Sequence, residues 1–280
     1  MVDDVLDVLR CPHCGAALAR HGGAVRCADR HSFDVARQGY LSLLPGDAAV
    51  GSADTAEMVA ARERFLGAGH FEPLANAVAV EAQRALNRGP DGCILDLGAG
   101  TGWLLSRVLE ARPGPPGLAL DLSKHALRRA ARAHERIGAV AADAWRPLPV
   151  RDGAVALALS VFAPRHGAEI ARVLSQRGAL IVVVPTGRHL IELVETLGLL
   201  TVDQRKSERL AAKLDPHLSA SGGWELEWTL ALSKEEVIDV VAMGPSAVHV
   251  DTAALREAVE GLPDPVSVTA SVELSVRRRL

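Results

Sequence analysis

Residues Ile94–Gly102, ILDLGAGTG, decide how the rest of the 280-residue chain is read. Ile94, Leu95 and Leu97 form an apolar run of the kind buried on both faces of a parallel sheet. Gly98, Gly100 and Gly102 follow as G-x-G-x-G, and Trp103 opens a helical pattern. The segment therefore reads strand, tight turn, helix. Glycine lets the backbone take left-handed angles and approach a ligand closely. The amides at the helix start can receive an anionic group such as a carboxylate. The dinucleotide fingerprint G-x-G-x-x-G is absent, because the third glycine comes one residue early, and no Walker lysine follows.

Three further segments repeat the pattern. Gly117–Asp121 (GLALD) ends in an acid 19 residues after Gly102, near the spacing of about 20 at which an acid grips ribose hydroxyls. Ala139–Asp143 (AVAAD) again places an acid after small apolar residues. Val155–Ser160 leads into Val161-Phe162-Ala163-Pro164. Gly178–Pro185, Trp224–Leu232 and Val266–Val276 complete a set of seven strands. An open parallel sheet binds its ligand outside the carboxyl ends of its strands.

D-x-G-x-G-x-G, then an acid after the second strand and another after the third, resembles the class I S-adenosylmethionine-dependent methyltransferases. The resemblance implies an α/β, Rossmann-like domain on a seven-stranded, mostly parallel sheet. It implies that Asp96 with Gly98, Gly100 and Gly102 holds the methionine part of the donor, that Asp121 takes the ribose hydroxyls, and that Asp143 meets the adenine amino group.

A second constellation lies near the N-terminus. Cys11, Cys14, Cys27 and His31 are spaced C-x2-C-x12-C-x3-H, and three of the four cysteines of the chain fall within 17 residues. In a reduced compartment such clustering favours metal over disulfide. Thiolates and imidazole suit tetrahedral zinc, and four protein ligands make the site structural. From spacing alone the fourth ligand stays open, since His13 and His21 are close by. A segment this short builds no core of its own, so metal supplies folding energy. Cys93 reads as a small buried residue.

Between the two constellations run three more motifs: H-x-F-D-x-A-R-x-G-Y-x-x-L-L-P from His31 to Pro45, M-x-x-A-R-x-x-F-L from Met58 to Leu66, and G-x-F-x-P-L from Gly69 to Leu74. With Phe162-Ala163-Pro164 and Ala242-Met243-Gly244-Pro245-Ser246, they resemble the RlmA/TlrB group, which methylates N1 of a guanine in 23S ribosomal RNA. The Met-Gly-Pro and Val-Phe-Ala-Pro-Arg forms lean to its tylosin-resistance branch. The resemblance implies Cys11, Cys14, Cys27 and His31 as zinc ligands, a 23S rRNA hairpin of domain II beside the peptide exit tunnel as partner, and macrolide resistance as the outcome. One departure is Arg172–Gly178, which lacks the Pro-Gly-Gly turn common after the fourth strand of such cores.

These readings divide the chain into a zinc-binding RNA-recognition module (1–45), a linker and helical connection (46–75) and a methyltransferase domain (76–280). Residues 48–57 read as a hinge, with Asp54 and Glu57 capping a helix over 55–66. Further helices are expected over 72–88, 123–136, 189–200 and 234–241. Lys124, Arg128, Arg132 and Arg136 recur every four residues. Like charges at that spacing repel, so the stripe is either an RNA phosphate track or a solvated face. Arg205, Lys206, Arg209 and Lys213 form a second basic cluster with the same two readings. In the knuckle, Arg20, Arg26, Arg30 and Arg37 are candidates to clamp RNA.

Net charge is −3, so any nucleic-acid contact must come from local patches. Arginines number 27 against four lysines, a bias that fits a GC-rich genome as well as phosphate gripping. No apolar run of about 18 residues and no basic-then-apolar leader is present, so a membrane span and a secretory signal are not expected, and the cytoplasm is. A homodimer is compatible with the sequence. Methyl transfer to guanine N1 requires loss of its proton. The sequence names no base; His166 is a candidate, and Phe162 and Pro164 are candidates to flank the guanine. Competing readings are a small-molecule methyltransferase of an antibiotic pathway and a non-enzymatic zinc-ribbon RNA-binding protein.

Overall fold

The computed structural model describes residues 1–46, 51, 53–89, 92–200 and 212–280. The hinge expected at 48–57 and the basic residues Arg205, Lys206 and Arg209 fall partly or wholly outside them.

The centre is an eight-stranded sheet, one strand more than expected. In spatial order it runs β10 (Leu218–Leu232), β11 (Val266–Arg279), β9 (Leu174–Pro185), β8 (Val155–Val161), β5 (Cys93–Leu97), β6 (Gly117–Asp121), β7 (Ile137–Ala141) and β4 (Leu41–Ser42). From β9 to β4 the strands are parallel, while β11 is antiparallel to β9 and to β10. The extra strand is β4. Leu41 pairs with Val140 and Ser42 with Ala141, so the end of the N-terminal module becomes the sheet's edge. Two residues carry no alternation, which is why the sequence does not announce it. All five residues of β5 and of β7 are buried, as the apolar runs require. Chain order reverses between β5 and β8, which creates the crevice where such sheets bind ligands.

Helices α1 (Ala56–Gly67), α2 (Glu72–Arg88), α3 (Trp103–Ala111) and α4 (Lys124–Ala133) cover one face, joined there by α6 (Ile191–Leu197), α7 (Lys234–Ala242) and α8 (Thr252–Glu260). The other face is covered by α5 (Gly167–Val173), an N-terminal 3-10 helix (Val2–Val8) and the knuckle hairpin β1 (Leu18–His21), β2 (Ala24–Cys27) and β3 (Ser32–Asp34). Val2, Val5, Leu6, Leu9, Leu18, Val25 and Phe33 share a continuous core with Leu95, Leu118, Leu120 and Val140. A Cβ at Gly138 would overlap Val5, so glycine there admits the 3-10 helix onto β7. The zinc module therefore supplies part of a layer of the core.

Three sequence readings change. The cap of α1 is Thr55, whose side chain accepts from the Met58 amide, while Asp54 pairs with Arg62. Helix α4 stops at Ala133, and Arg136 leaves the basic stripe. Its guanidinium donates to the carbonyls of Pro115 at 2.9 Å, Arg112 at 3.0 Å and Leu109, so it caps the C-terminal end of α3. Helix α8 was not expected at all; Asp251 caps it, accepting from the Ala253 and Ala254 amides.

Candidate active site and metal centre

Gly98, Gly100 and Gly102 all take left-handed backbone, with φ of 67°, 55° and 75°. A Cβ at Gly98 would lie 2.8 Å from Ala163 Cβ, and one at Gly102 would lie 2.9 Å from Ala130 Cα. At Gly100 the nearest atom would be Arg62 Nη1, at 3.5 Å. Gly98 and Gly102 thus let the turn approach the β8–α5 loop and α4, whereas a Cβ at Gly100 would meet Arg62 only at ordinary contact distance. The Gly98 and Ala99 amides donate to the Leu120 carbonyl at 2.8 and 3.0 Å, which ties the turn to the end of β6.

Two acids sit in this cradle. Asp121 accepts the Gly100 amide on Oδ2 and the Ser123 amide on Oδ1, each at 2.8 Å. Burial raises its carboxyl against these two bonds. Asp96 is 3% exposed. Burial, and then the charge of Asp121, push its carboxyl up to about 8, with no hydrogen bond offsetting them among the described residues. Asp143 stands two residues beyond β7; it accepts the Trp145 amide at 2.9 Å and pairs with Arg146 at 3.8 Å.

Above the glycine turn lies a residue the sequence reading passed over. Arg62 binds Asp54 and donates from Nη2 to the Met243 carbonyl at 2.8 Å. Ser123 Oγ donates to the Asp54 carbonyl at 2.7 Å. The M-x-x-A-R and A-M-G-P-S motifs, 181 residues apart, are therefore bonded to each other over the cradle. Arg64 strengthens the same join through three bonds to Asp239, at 3.2, 2.9 and 2.5 Å.

Beside Gly98, the β8–α5 loop carries Phe162, which is 44% exposed and has a φ of 53°. Left-handed backbone costs a non-glycine residue about 1 kcal/mol or more, and such strain gathers at functional loops. Pro164 Cδ would lie 3.8 Å from a Cβ on Gly98. Arg165 braces the loop, donating to Ser160 Oγ at 3.0 Å and to the Val183 carbonyl at 3.3 Å; burial pulls its guanidinium down to about 10. The Nδ1 of His166 accepts the Glu169 amide at 3.3 Å as the cap of α5. That lone pair is occupied by a helix end.

At the N-terminus, Cys11, Cys14, Cys27 and His31 bring their ligand atoms within 4.8 Å of one another. The Cys14 and Cys27 sulfurs are 3.7 Å apart, and His31 Nδ1 is 3.6 Å from Cys11 Sγ and 3.3 Å from Cys27 Sγ. Tetrahedral zinc with Zn–S of about 2.3 Å and Zn–N of about 2.0 Å separates its ligands by about 3.5–3.8 Å, so the donor set fits zinc. His13 stacks on Phe33, with ring centroids 5.8 Å apart, and its ring lies 5.0 Å from that of His31, while His31 is the histidine whose nitrogen joins the three sulfurs. Gly15, at φ 75°, closes the knuckle by donating to the Cys11 carbonyl at 2.8 Å.

Comparison with known proteins matches this geometry. Residues 9–48 match the family described as RlmA, N-terminal, and residues 94–178 match a methyltransferase domain. The chain is 48% identical to the 23S rRNA (guanine(748)-N(1))-methyltransferase of Streptomyces fradiae, with 100% of both chains covered. The chain belongs to the RlmA-type 23S rRNA (guanine-N1)-methyltransferase family. A Micromonospora griseorubida protein provisionally designated a member of the same family is 50% identical over 98% of each chain. A solved Bacillus halodurans structure, provisionally described as a methyltransferase, aligns with a TM-score of 0.51 at 16% identity, over 71% of this chain and 97% of that one. At that identity it shows the shared fold alone. As a family member the protein is a methyltransferase with S-adenosylmethionine as its methyl donor and a structural zinc site. Among the described residues no helix is long and apolar enough to cross a membrane.

Proposed function

We propose that this protein methylates N1 of a guanine in the domain II hairpin of 23S rRNA, beside the peptide exit tunnel, and thereby confers resistance to macrolides of the tylosin and mycinamicin type. The guanine is the one at position 748 for which the Streptomyces fradiae relative is named. What carries the reading is 48% identity to that relative over the whole of both chains, from the zinc knuckle to the last strand. On this reading the protein works in the cytoplasm, where the ribosome is.

The bound donor supplies a methyl group on a positively charged sulfur. The three glycines of Gly98–Gly102, bare of side chains, would let the turn lie against its methionine part, and Asp96 would hold the ammonium there. A cation in that place favours the charged form of Asp96, which burial disfavours in its absence. Asp121, aimed by the Gly100 and Ser123 amides, takes the ribose hydroxyls. Asp143 takes the adenine amino group. The Phe162-Ala163-Pro164 loop, seated on Gly98, presents the acceptor guanine. In-line displacement gains several kcal/mol from such alignment alone. Arg20, Arg26, Arg30 and Arg37 are all exposed on the zinc module and contact the rRNA backbone.

The test uses the zinc-loaded protein, tritiated S-adenosylmethionine and 23S rRNA. N1-methylguanosine blocks the Watson–Crick edge, so reverse transcription stops beside it, and mass mapping of nuclease fragments gives the position. Incorporation into small molecules but not into rRNA refutes the reading.

A further inference from the structure

The aromatic side chains around Phe162 place an unassigned polar group, the His189 imidazole, beside it. The chain has only four phenylalanines. Phe65, Phe71 and Phe162 fall in one cluster with Trp228, His70 and His189. Phe65 and Phe71 are buried and form its floor, with ring centroids 5.4 Å apart at 86°. Phe162 and His189 form its half-open rim, 5.8 Å apart and 30° from parallel. A purine stacked on Phe162 is wider than the phenyl ring and overhangs toward His189.

His189 is held in one tautomer. The Ser271 amide donates to its Nδ1 at 3.2 Å, so the ring proton sits on Nε2. Charged groups nearby are engaged with one another: Arg188 with Glu227 at 2.8 Å, and Glu192 with the Thr269 amide and hydroxyl at 2.9 and 2.5 Å. Glu236 takes His70 at 2.8 Å. With no carboxylate on the ring among the described residues, burial lowers the imidazole to about 4 and keeps it neutral.

We propose that His189 is a catalytic residue of the methyl transfer, donating its Nε2–H to O6 of a guanine stacked on Phe162. The proposal rests on the function proposed above. The N1 proton leaves to solvent, and the electron pair it leaves behind is shared between N1 and O6. The N1 pair then forms the N–CH3 bond as the C–S bond breaks, with that pair passing to sulfur. A donor fixed at O6 stabilises the anionic ring as charge develops, in the manner of an oxyanion hole. Neutrality matters here, because an imidazolium beside a cationic sulfur would be repelled.

The test compares His189→Phe, which keeps the aromatic contacts, with His189→Gln, which keeps a donor. Melting temperature and calorimetric S-adenosylmethionine binding establish that each variant is folded and loaded. Expected is a fall of about 10²-fold in kcat for His189→Phe, the scale for loss of one such donor, with KM for the rRNA hairpin nearly unchanged. His189→Gln recovers at least tenfold of that loss. Should His189→Phe not fold, His189→Leu takes its place. The inference is overturned if the donor-less variant keeps a third or more of kcat, if the loss lies in KM alone, or if glutamine restores nothing. If the wild-type protein makes no N1-methylguanosine, the parent reading fails and this one with it.

Discussion

The glycine turn makes a prediction about order as well as size. Replace Gly98, Gly100 and Gly102 by alanine one at a time. Each change forces a Cβ onto left-handed backbone, at φ of 67°, 55° and 75°, which costs about 1–2 kcal/mol. At Gly100 little is added, because the nearest atom, Arg62 Nη1 at 3.5 Å, is at ordinary contact distance. At Gly102 the new methyl meets the α4 backbone, Ala130 Cα at 2.9 Å, with Ala130 Cβ at 3.1 Å and Ala133 Cβ at 3.4 Å behind it. A helix backbone does not yield as a side chain does, so overpacking adds about 1–3 kcal/mol. At Gly98 the contact is Ala163 Cβ at 2.8 Å, on a loop that can shift and carry Phe162 with it. In a domain of this size 1 kcal/mol moves the melting temperature by about 2–4 °C. Gly100→Ala should therefore lose roughly 2–8 °C and Gly102→Ala roughly 4–20 °C. Gly98→Ala should sit between them in stability and fall furthest in methyl transfer, since its strain discharges into the acceptor loop. Differential scanning calorimetry without the donor, and single-turnover methylation with it, read the two effects separately. A Gly100→Ala protein as unstable as Gly102→Ala, or a Gly102→Ala protein as stable as wild type, would refute this reasoning.

The remaining predictions follow from the same contacts. Stripping zinc with a chelator, or Cys14→Ser, should lower the melting temperature of the whole chain in one transition, because the module shares the sheet's core; a separate early transition would show that it does not. Arg136→Ala should cost about 2–4 kcal/mol in urea denaturation, since the Leu109 and Arg112 carbonyls at the end of α3 and the Pro115 carbonyl beyond it lose a charged donor, and should leave the salt dependence of RNA binding unmoved. Arg132→Ala, at an exposed position on the same stripe, should reduce the salt slope if the stripe tracks phosphates and leave stability alone. Asp96 holds its proton in the folded protein up to about pH 8, whereas the unfolded chain releases it near 3.8. Donor-free stability should therefore fall as pH rises from about 4 to about 8, by up to ~1.4 kcal/mol per pH unit, and Asp96→Asn should flatten that slope, as urea midpoints at pH 5 and 7.5 would show.

Residues that declare themselves by local pattern were legible in advance. The seven strands follow from apolar runs and alternation, the glycine turn from Gly98, Gly100 and Gly102 with Asp121 at the end of the next strand, and the knuckle from cysteine spacing. What escaped depends on contacts between distant parts of the chain. Arg62 looked like part of an amphipathic helix, and its meeting with the Met243 carbonyl has no local signature. Arg136 continued a four-residue period on paper, but the helix ends at Ala133 and its guanidinium turns back onto α3. His189 opened an expected helix, whereas the helix begins at Ile191 and leaves the imidazole in the aromatic cluster. Thr55 took the cap expected of Asp54 because Arg62 claims the aspartate.

The placement of the zinc module changes what it can do for recognition. Read from sequence, it is an appended clamp on a hinge; folded, it contributes β4 to the sheet and a hydrophobic layer to the core. A part that shares a core cannot swing to meet its substrate, so its arginines are held at fixed distances from the methyl-transfer site. Strands β8 and β4 stand four positions apart in the sheet, which is about 19 Å at the usual strand spacing. RNA that seats a guanine at Phe162 and reaches the knuckle must span that separation in one conformation. A preformed surface avoids the ordering cost that a mobile clamp would incur on binding. If the knuckle binds the hairpin as proposed, zinc is part of the gauge as well as of the fold: it fixes the knuckle, the knuckle fixes the edge strand, and the edge strand would fix how far the hairpin lies from the Phe162 loop.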